Sequence, residues 1–301
     1  MNDYLNQEKL NIVKNRAGFI AALDQSGGST ANTLKNYGIS DSAYSTEEEM
    51  FSLIHEMRMR VFTSPVFTSE KILGSILFFK TMQSMVNGKY TADYLWDEKK
   101  IVSFLKIDKG LAEEEHHVKL MKPILDFDGQ MRVARERGIF GTKMRSVILG
   151  ADPEGIRDVV RQQFALAKTI CEYGLVPIIE PEVDILISDK EKAENILKEE
   201  IIRVLDNWNP NHLIMFKFSI PTNADLYEDL YRYPCVVRVV ALSGGYDTEH
   251  ACQLLKQNHK MIASFSRALL QNLYANQTEE EFNAALKKAI DEIYDASINK
   301  D

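Results

Sequence analysis

The chain is poor in the residues that mark several common functional classes. It has three cysteines in 301 residues, Cys171, Cys235 and Cys252, an odd number with no CxxC or Cys/His ligand spacing. Neither a disulfide framework nor a zinc site is built that way. No apolar run approaches the ~20 residues that a membrane-spanning helix needs. The start of the chain, with Asn2, Asp3, Asn6 and Glu8 among its apolar residues, lacks the charged beginning and apolar stretch of a signal peptide. A reducing cytoplasm is the compartment expected. Basic excess is missing as well: the net charge is -8, and lysines and arginines are scattered among acids, as between Asp189 and Arg203. Such mixed runs are solvated helix faces, and no basic stripe is left for nucleic acid. Pro/Gly/Ser-rich linkers are absent too, so residues 1–301 are expected to form a single domain.

What is present is a composition able to bury a large core, 45% hydrophobic and 27% charged. Short, apolar, β-branched runs recur at Gly18–Leu23, Ile72–Phe79, Ile101–Ile107, Thr142–Leu149, Leu175–Ile179, Leu213–Ile220, Val236–Leu242 and Met261–Phe265. These read as strands. Longer segments with helical spacing lie between most of them, for instance Glu154–Cys171 and Asp189–Trp208. Strands apolar on both faces and alternating with helices form a parallel sheet buried by those helices, and a count of eight favours closure. The expectation is an α/β fold, a (β/α)8 TIM barrel with an extra N-terminal helix over Leu5–Val13, with a doubly wound open sheet as runner-up. Closing helices are expected near Thr248–Leu255 and Thr278–Asp295, Thr278 and Glu281 having capping-box spacing.

Charges interrupt these strands where a barrel should be apolar. Residues two apart on a strand share a face, so Lys106 with Asp108, Lys143 with Arg145, and Glu180 with Glu182 are same-face charged pairs. Lys217 stands alone in Leu-Ile-Met-Phe-Lys-Phe-Ser-Ile. A lone buried ammonium is costly unless it is paired or loses its proton; a glutamate such as Glu182 is the plain structural partner for it. Most of these charges, with Asp24, the Ser243-Gly244-Gly245 turn and Arg267, fall at or near the C-terminal ends of their runs, Lys143 being the clearest exception. Those ends converge on one mouth, where barrels carry their active sites.

The residue types bound the chemistry of such a mouth. Several cations, the Ser-Gly-Gly turn and the Asp24-Gln25-Ser26-Gly27-Gly28-Ser29 loop suit a substrate with more than one phosphate. Apolar surroundings and nearby cations, here Lys143 and Arg145, favour the neutral nucleophilic form of a strand lysine. Carboxylates at Asp24, Glu180 and Glu182 can carry the proton transfers of imine formation and carbon–carbon cleavage. No histidine appears at these positions, which speaks against His-based zinc or iron chemistry; an acidic magnesium site of Asp24, Asp108 and Glu180 stays open.

From Gly18 to Leu269 the ordered motifs ALDQSGGS, KIDKG, KMR, VPIIEPE, FK, LSGG and SFSRAL resemble class I fructose-1,6-bisphosphate aldolases, in the shorter bacterial form. The resemblance implies that Lys217 forms an imine with the ketose carbonyl, that Glu180 donates and accepts protons, and that Glu182 helps set the lysine's protonation. It implies that Lys143 stabilises charge near the imine and that Asp24 assists removal of a hydroxyl proton as the carbon–carbon bond breaks. Ser243, Gly244 and Arg267 match residues at one phosphate, Ser29 and Lys106 residues near the other, and Arg145 a substrate-contacting arginine. The implied products are dihydroxyacetone phosphate and glyceraldehyde 3-phosphate, in glycolysis or gluconeogenesis, with no cofactor and no metal.

Two departures from the animal form of that family stand out. Thr33 occupies a place where an arginine near the substrate is expected, and the chain ends without that form's terminal tyrosine, leaving Tyr294 either as its substitute or as a packing residue. Competing readings are another Schiff-base lyase, such as a transaldolase or a tagatose-bisphosphate aldolase, and a non-catalytic sugar-phosphate-binding barrel. The sequence carries no signal for oligomeric state.

Overall fold

The computed structural model describes residues 5–26 and 28–301. Asn2, Asp3 and Gly27 of the reading above lie outside them. Eight parallel strands follow one another in chain order: β1 (Phe19–Leu23), β2 (Ile72–Leu77), β3 (Val102–Lys106), β4 (Gly141–Ile148), β5 (Val176–Val183), β6 (Ile214–Ser219), β7 (Val236–Leu242) and β8 (Met261–Ala263). The sheet curls into a nearly closed barrel, and at the seam Ala22 N–H donates to Phe265 O at 3.2 Å. The barrel, rather than the open sheet, is the architecture.

Alternation along each strand divides the side chains between two cores. Inward residues including Ile20, Ala22, Ile76, Phe104, Ile178, Met215, Val240 and Ile262 fill the lumen. Phe104 is the bulkiest of these, and room for it comes from Gly74 and Gly141, where an added Cβ would meet its ring at 2.9 Å. Outward residues such as Phe216 and Phe218 pack under the helical shell with Ile156, Phe164, Leu197 and Ile201.

The helix Gln7–Asn15 corresponds to the expected extra helix, capped by Asn6. It closes the N-terminal ends of the strands, adding Ile12 and Val13 to the lumen core. Arg238 of β7 holds its C-terminal end by donating to Val13 O and Arg16 O at 2.8 and 3.0 Å. The helix Glu279–Ile298 starts with the expected capping box of Thr278 and Glu281.

The sequence reading missed a hairpin, Leu111–Glu115 with Val118–Met121, between β3 and β4. Val118 and Lys119 pair antiparallel with Ile148 and Val147, which prolongs β4 beyond the barrel proper. This accounts for Lys143 as an exception: it is paired in register with Lys106, the last residue of β3, and so belongs to the mouth although five residues of its own strand follow. β5 is also longer than expected, running past Ile179 along β4 to Val183. Pro181 is tolerated there because β6 pairs only as far as Ile179, leaving an open edge.

Candidate active site

The C-terminal ends of the strands surround a cavity of about 960 Å3, near the upper end of ordinary small-molecule sites. Asp24, Ser29, Lys106, Lys143, Arg145, Glu180, Glu182, Lys217, Ser243, Gly244 and Arg267 all line it. Its floor is an alternating row of charges. Asp24 Oδ2 lies 2.8 Å from Lys143 Nζ, Lys143 Nζ 2.9 Å from Glu180 Oε2, and Glu180 Oε1 3.1 Å from Lys217 Nζ. All four side chains are less than a tenth exposed. Buried charges of this kind persist when each has an opposite neighbour, as here.

The row forms because each strand offers its inward position at the same height. On β6, Phe216 and Phe218 point into the outer core and stack on each other at 5.3 Å, so Lys217 between them faces the lumen. On β5, Glu180 is fixed from behind, its N–H donating to Gln163 Oε1 at 2.9 Å. Gln163 is wholly buried on the helix Pro153–Glu172.

Electrostatics follow the row. Burial alone would raise the Asp24 carboxyl, but the charges of Lys143 and then Lys217 hold it well below the usual range. Glu180 is likewise opposed by burial and lowered on balance by Lys143, Lys217 and Arg145. Burial disfavours the Lys143 ammonium, yet Asp24 and Glu180 outweigh it and raise its affinity for the proton. At neutral pH the row therefore starts with Asp24 and Glu180 as carboxylates and Lys143 as an ammonium.

Two arrangements differ from the sequence reading. The carboxylate beside Lys217 is Glu180, not Glu182; Glu182 pairs instead with Arg145, 2.5 Å away. The cationic field expected from Lys143 and Arg145 around Lys217 is also largely offset, since each of those cations has its own carboxylates.

Lys106 donates to Asp108 Oδ1 at 2.7 Å and to Asp108 O at 2.9 Å, so its ammonium sits at the wall already oriented. Ser243 opens a tight turn in which Tyr246 N–H donates to Ser243 O at 3.0 Å. Gly244 and Gly245 have φ of 61° and 121°, in the left-handed region that favours glycine. The Ser29 hydroxyl is engaged with Ser26, donating to Ser26 O and accepting from Ser26 N–H at 2.8 and 3.0 Å. Thr33 lines the cavity one helical turn on, its hydroxyl donating to Ser29 O. Among the described residues no carboxylate pairs with the exposed Arg267, and no three His, Cys, Asp or Glu side chains converge in a way that holds a metal ion. Lysines interleave Asp24, Asp108 and Glu180, the trio that the sequence left open for magnesium: Lys143 pairs with Asp24 and Glu180, and Lys106 with Asp108.

Further residues line the cavity to which the sequence reading gave no role of their own: Gln25, Lys109, Ser264 and Ser266, quoted only as parts of motifs, and Lys80 and Tyr274. Ser264 had a signal, a polar residue inside the apolar run Met261–Phe265, and its buried hydroxyl has no partner among the described residues. Tyr294 is not in the cavity. Lys71, which precedes β2, lies over its ring at 5.4 Å, and Lys300 donates to Met261 O at the start of β8. The chain end is thus at the opposite face of the barrel, and packing is the role that fits Tyr294.

A family model described as fructose-bisphosphate aldolase class-I matches residues 5–216, ending one residue before Lys217. Among solved structures, a co-crystal structure of fructose-bisphosphate aldolase from Plasmodium falciparum in complex with TRAP and a small-molecule inhibitor is similar. It is 19% identical, and the match covers 100% of this chain and 98% of that one with a TM-score of 0.72. At that identity the likeness concerns the fold.

Proposed function

Since the chain belongs to the class-I fructose-bisphosphate aldolase family, we propose that it reversibly cleaves fructose 1,6-bisphosphate to dihydroxyacetone phosphate and glyceraldehyde 3-phosphate through a Schiff base on Lys217. The observation that carries this reading is the Glu180 carboxylate, which addresses Lys217 with one oxygen and Lys143 with the other. A nucleophilic amine and its proton carrier are thereby in contact, at the distance that transfer requires.

The steps follow from the row. Glu180 accepts a proton from Lys217, and the amine adds to the C2 carbonyl of the open-chain ketose. Glu180 returns the proton to the carbinolamine hydroxyl, which leaves as water, giving the protonated imine. Asp24 takes the proton of the C4 hydroxyl as the C3–C4 bond breaks, and the bonding electrons pass into the imine to form an enamine. The aldehyde departs, C3 is protonated, and water hydrolyses the imine. The imine itself withdraws the electrons, so the chemistry calls for no Lewis acid. Lys143, fixed between Asp24 and Glu180, keeps both carboxylates charged and balances charge near the imine.

Phosphate recognition is assigned to Ser243, Gly244 and Arg267 on the ketone-derived half and to Lys106, Arg145 and the Ser29 loop on the other. Arg267 can make charge-assisted, two-pronged contacts with a phosphate. No helix among the described residues is long and apolar enough to cross a membrane, in keeping with a sugar bisphosphate met in the cytoplasm.

The test is borohydride trapping. Dihydroxyacetone phosphate plus borohydride should inactivate the protein irreversibly and leave the reduced adduct on Lys217 by peptide mass mapping. Absence of any adduct, with cleavage abolished by chelators, would overturn the reading in favour of a metal-dependent one. Comparing cleavage of fructose and tagatose 1,6-bisphosphates then fixes the epimer.

A further inference from the structure

Arg58 is 1% exposed. It sits on the inner face of the helix Glu47–Thr63 with Ile54, Met57, Val61 and Phe62. Among the described residues no carboxylate pairs with it, and its Nε has no partner. Burial brings the guanidinium down to about 10, with Asp24 acting in the opposite sense, so it is charged at neutral pH. An unpaired buried cation is costly, and an apolar side chain of similar volume would serve packing better. Something at this position uses the donors.

The donors are spent on one link in a chain of contacts. Nη1 donates to Thr81 Oγ1 at 2.7 Å, on the helix Phe79–Gln83 that follows β2. Nη2 donates to both oxygens of Gln25, the main-chain O at 2.6 Å and Oε1 at 3.3 Å. Gln25 Nε2 in turn donates to Ser266 Oγ at 2.5 Å. Gln25 directly follows Asp24, and Ser266 directly precedes Arg267. The chain of contacts thus runs from the loop after β2, through the loop after β1, to the loop after β8. It crosses the seam where the barrel is only nearly closed.

We propose that Arg58 is a positioning residue of the active site, which through Gln25 and Ser266 holds Asp24 and Arg267 at fixed spacing across the β1–β8 seam. The inference rests on the aldolase reading of the cavity. Asp24 serves the bond-breaking step and Arg267 a phosphate, so their relative placement sets whether an anchored substrate presents its C4 hydroxyl to the base. Arg58 itself does not line the cavity, and its effect passes through Gln25. Its hold on the main-chain oxygen governs Asp24, and its hold on the side chain, together with the Ser266 contact, governs the Arg267 loop.

The two holds predict a split that a merely structural role would not give. Arg58→Lys keeps a charge but cannot span Thr81 and both Gln25 oxygens, and should lower kcat and raise KM together, about ten- to a hundredfold in kcat/KM for a small misplacement of reacting groups. Gln25→Met leaves the main-chain oxygen to Arg58 and removes the bridge to Ser266. It should raise KM severalfold with kcat within about threefold of wild type. The double variant should be no worse than Arg58→Lys, because residues acting in one chain are not additive. Thr81→Val, which loses the anchor outside the cavity, should show the Arg58 pattern more weakly and serves if Arg58→Lys does not fold.

The same preparations are treated with dihydroxyacetone phosphate and borohydride. Wild-type protein that gives no Lys217 adduct overturns the aldolase reading and this inference with it. Wild type that gives the adduct, beside unchanged kinetics in Arg58→Lys or in Thr81→Val, overturns the positioning role alone. So do losses that multiply in the double variant.

Discussion

Lys217 Nζ lies 3.1 Å from Glu180 Oε1 at the floor of the cavity, where both side chains are almost fully buried. On the proposed reading, this contact makes Glu180 the direct proton partner of the amine. Because its carboxyl is held below the ordinary range, first against burial and then by Lys143, Lys217 and Arg145, it begins each cycle as a base. Replacing it with glutamine keeps the shape and removes the titrating group. Turnover of Glu180→Gln should fall by roughly two to four orders of magnitude, the usual span for a positioned acid or base. Steady-state cleavage of fructose 1,6-bisphosphate measures this, and a wild-type rate would remove Glu180 from the proton path.

Asp24 and Glu180 also tie stability to pH. Both carboxyls are lowered in the folded chain relative to unfolded values of about 3.9 and 4.3. A lowered carboxyl stabilises the fold at pH values above its unfolded pKa and loses that contribution as the pH falls below it. Thermal midpoints should therefore be level above about pH 5 and drop steeply from pH 4 downwards. In Asp24→Asn, which lacks one of the two groups, the whole curve should be lower but its acid drop shallower. Parallel acid limbs in the two proteins would mean that the Asp24–Lys143 pair does not form in solution.

The eight strands and most of the cavity were legible in the sequence because strand periodicity places alternate residues on one face, and charges on an inward face stand out. Lys217 between Phe216 and Phe218 is the plainest instance. Pairing was not legible. Nothing in the spacing distinguishes Glu180 from Glu182 as the partner of Lys217, since both share a strand face and only the height of β5 against β6 decides. The position of Lys143 needed the hairpin Leu111–Met121, whose pairing lengthens β4 and hides where the barrel ends. Arg58 did leave a trace: positions 54, 57, 58, 61 and 62 form a helical stripe that is apolar except at 58.

Arg267→Ala should weaken the hold on phosphorylated substrates, because it removes a charged donor at the rim while leaving the floor intact. Single interactions with charged groups contribute roughly 1.5–3 kcal/mol, which corresponds to a rise in KM of about ten- to a hundredfold. Inorganic phosphate should compete with substrate in wild type and much less in the variant. Unchanged kinetics would place Arg267 outside the phosphate site.

Tyr294→Phe should leave cleavage and the Lys217 adduct unchanged, with kcat within about twofold, as surface changes remote from a site usually do. The reason is position. Tyr294 lies beside Lys71, and the chain end is anchored by Lys300 to Leu255, Met261 and Ala296 at the far face of the barrel. A large loss of kcat with an unaltered melting temperature would show that the end of the chain swings to the mouth during turnover.

The two lysines on Glu180 should separate cleanly. Lys143 is 2.8 Å from Asp24 and 2.9 Å from Glu180, so it is engaged on both sides by carboxylates, while among the described residues Lys217 pairs with Glu180 alone. Lys217→Met removes the only amine assigned to the imine, and both cleavage and borohydride labelling should vanish. Lys143→Met leaves that amine in place but sets two carboxylates close together without the cation between them. One of them should then keep its proton to much higher pH. Cleavage should fall by about a hundredfold or more, as for loss of a preorganised charge. Labelling by dihydroxyacetone phosphate should persist, slower, and still map to Lys217. The pH at which the remaining activity appears should move upward, because the shared proton must leave before Asp24 can act as a base. A reduced adduct on Lys143 in either protein would overturn the assignment, since the nucleophile would then be the lysine that the structure holds between two acids.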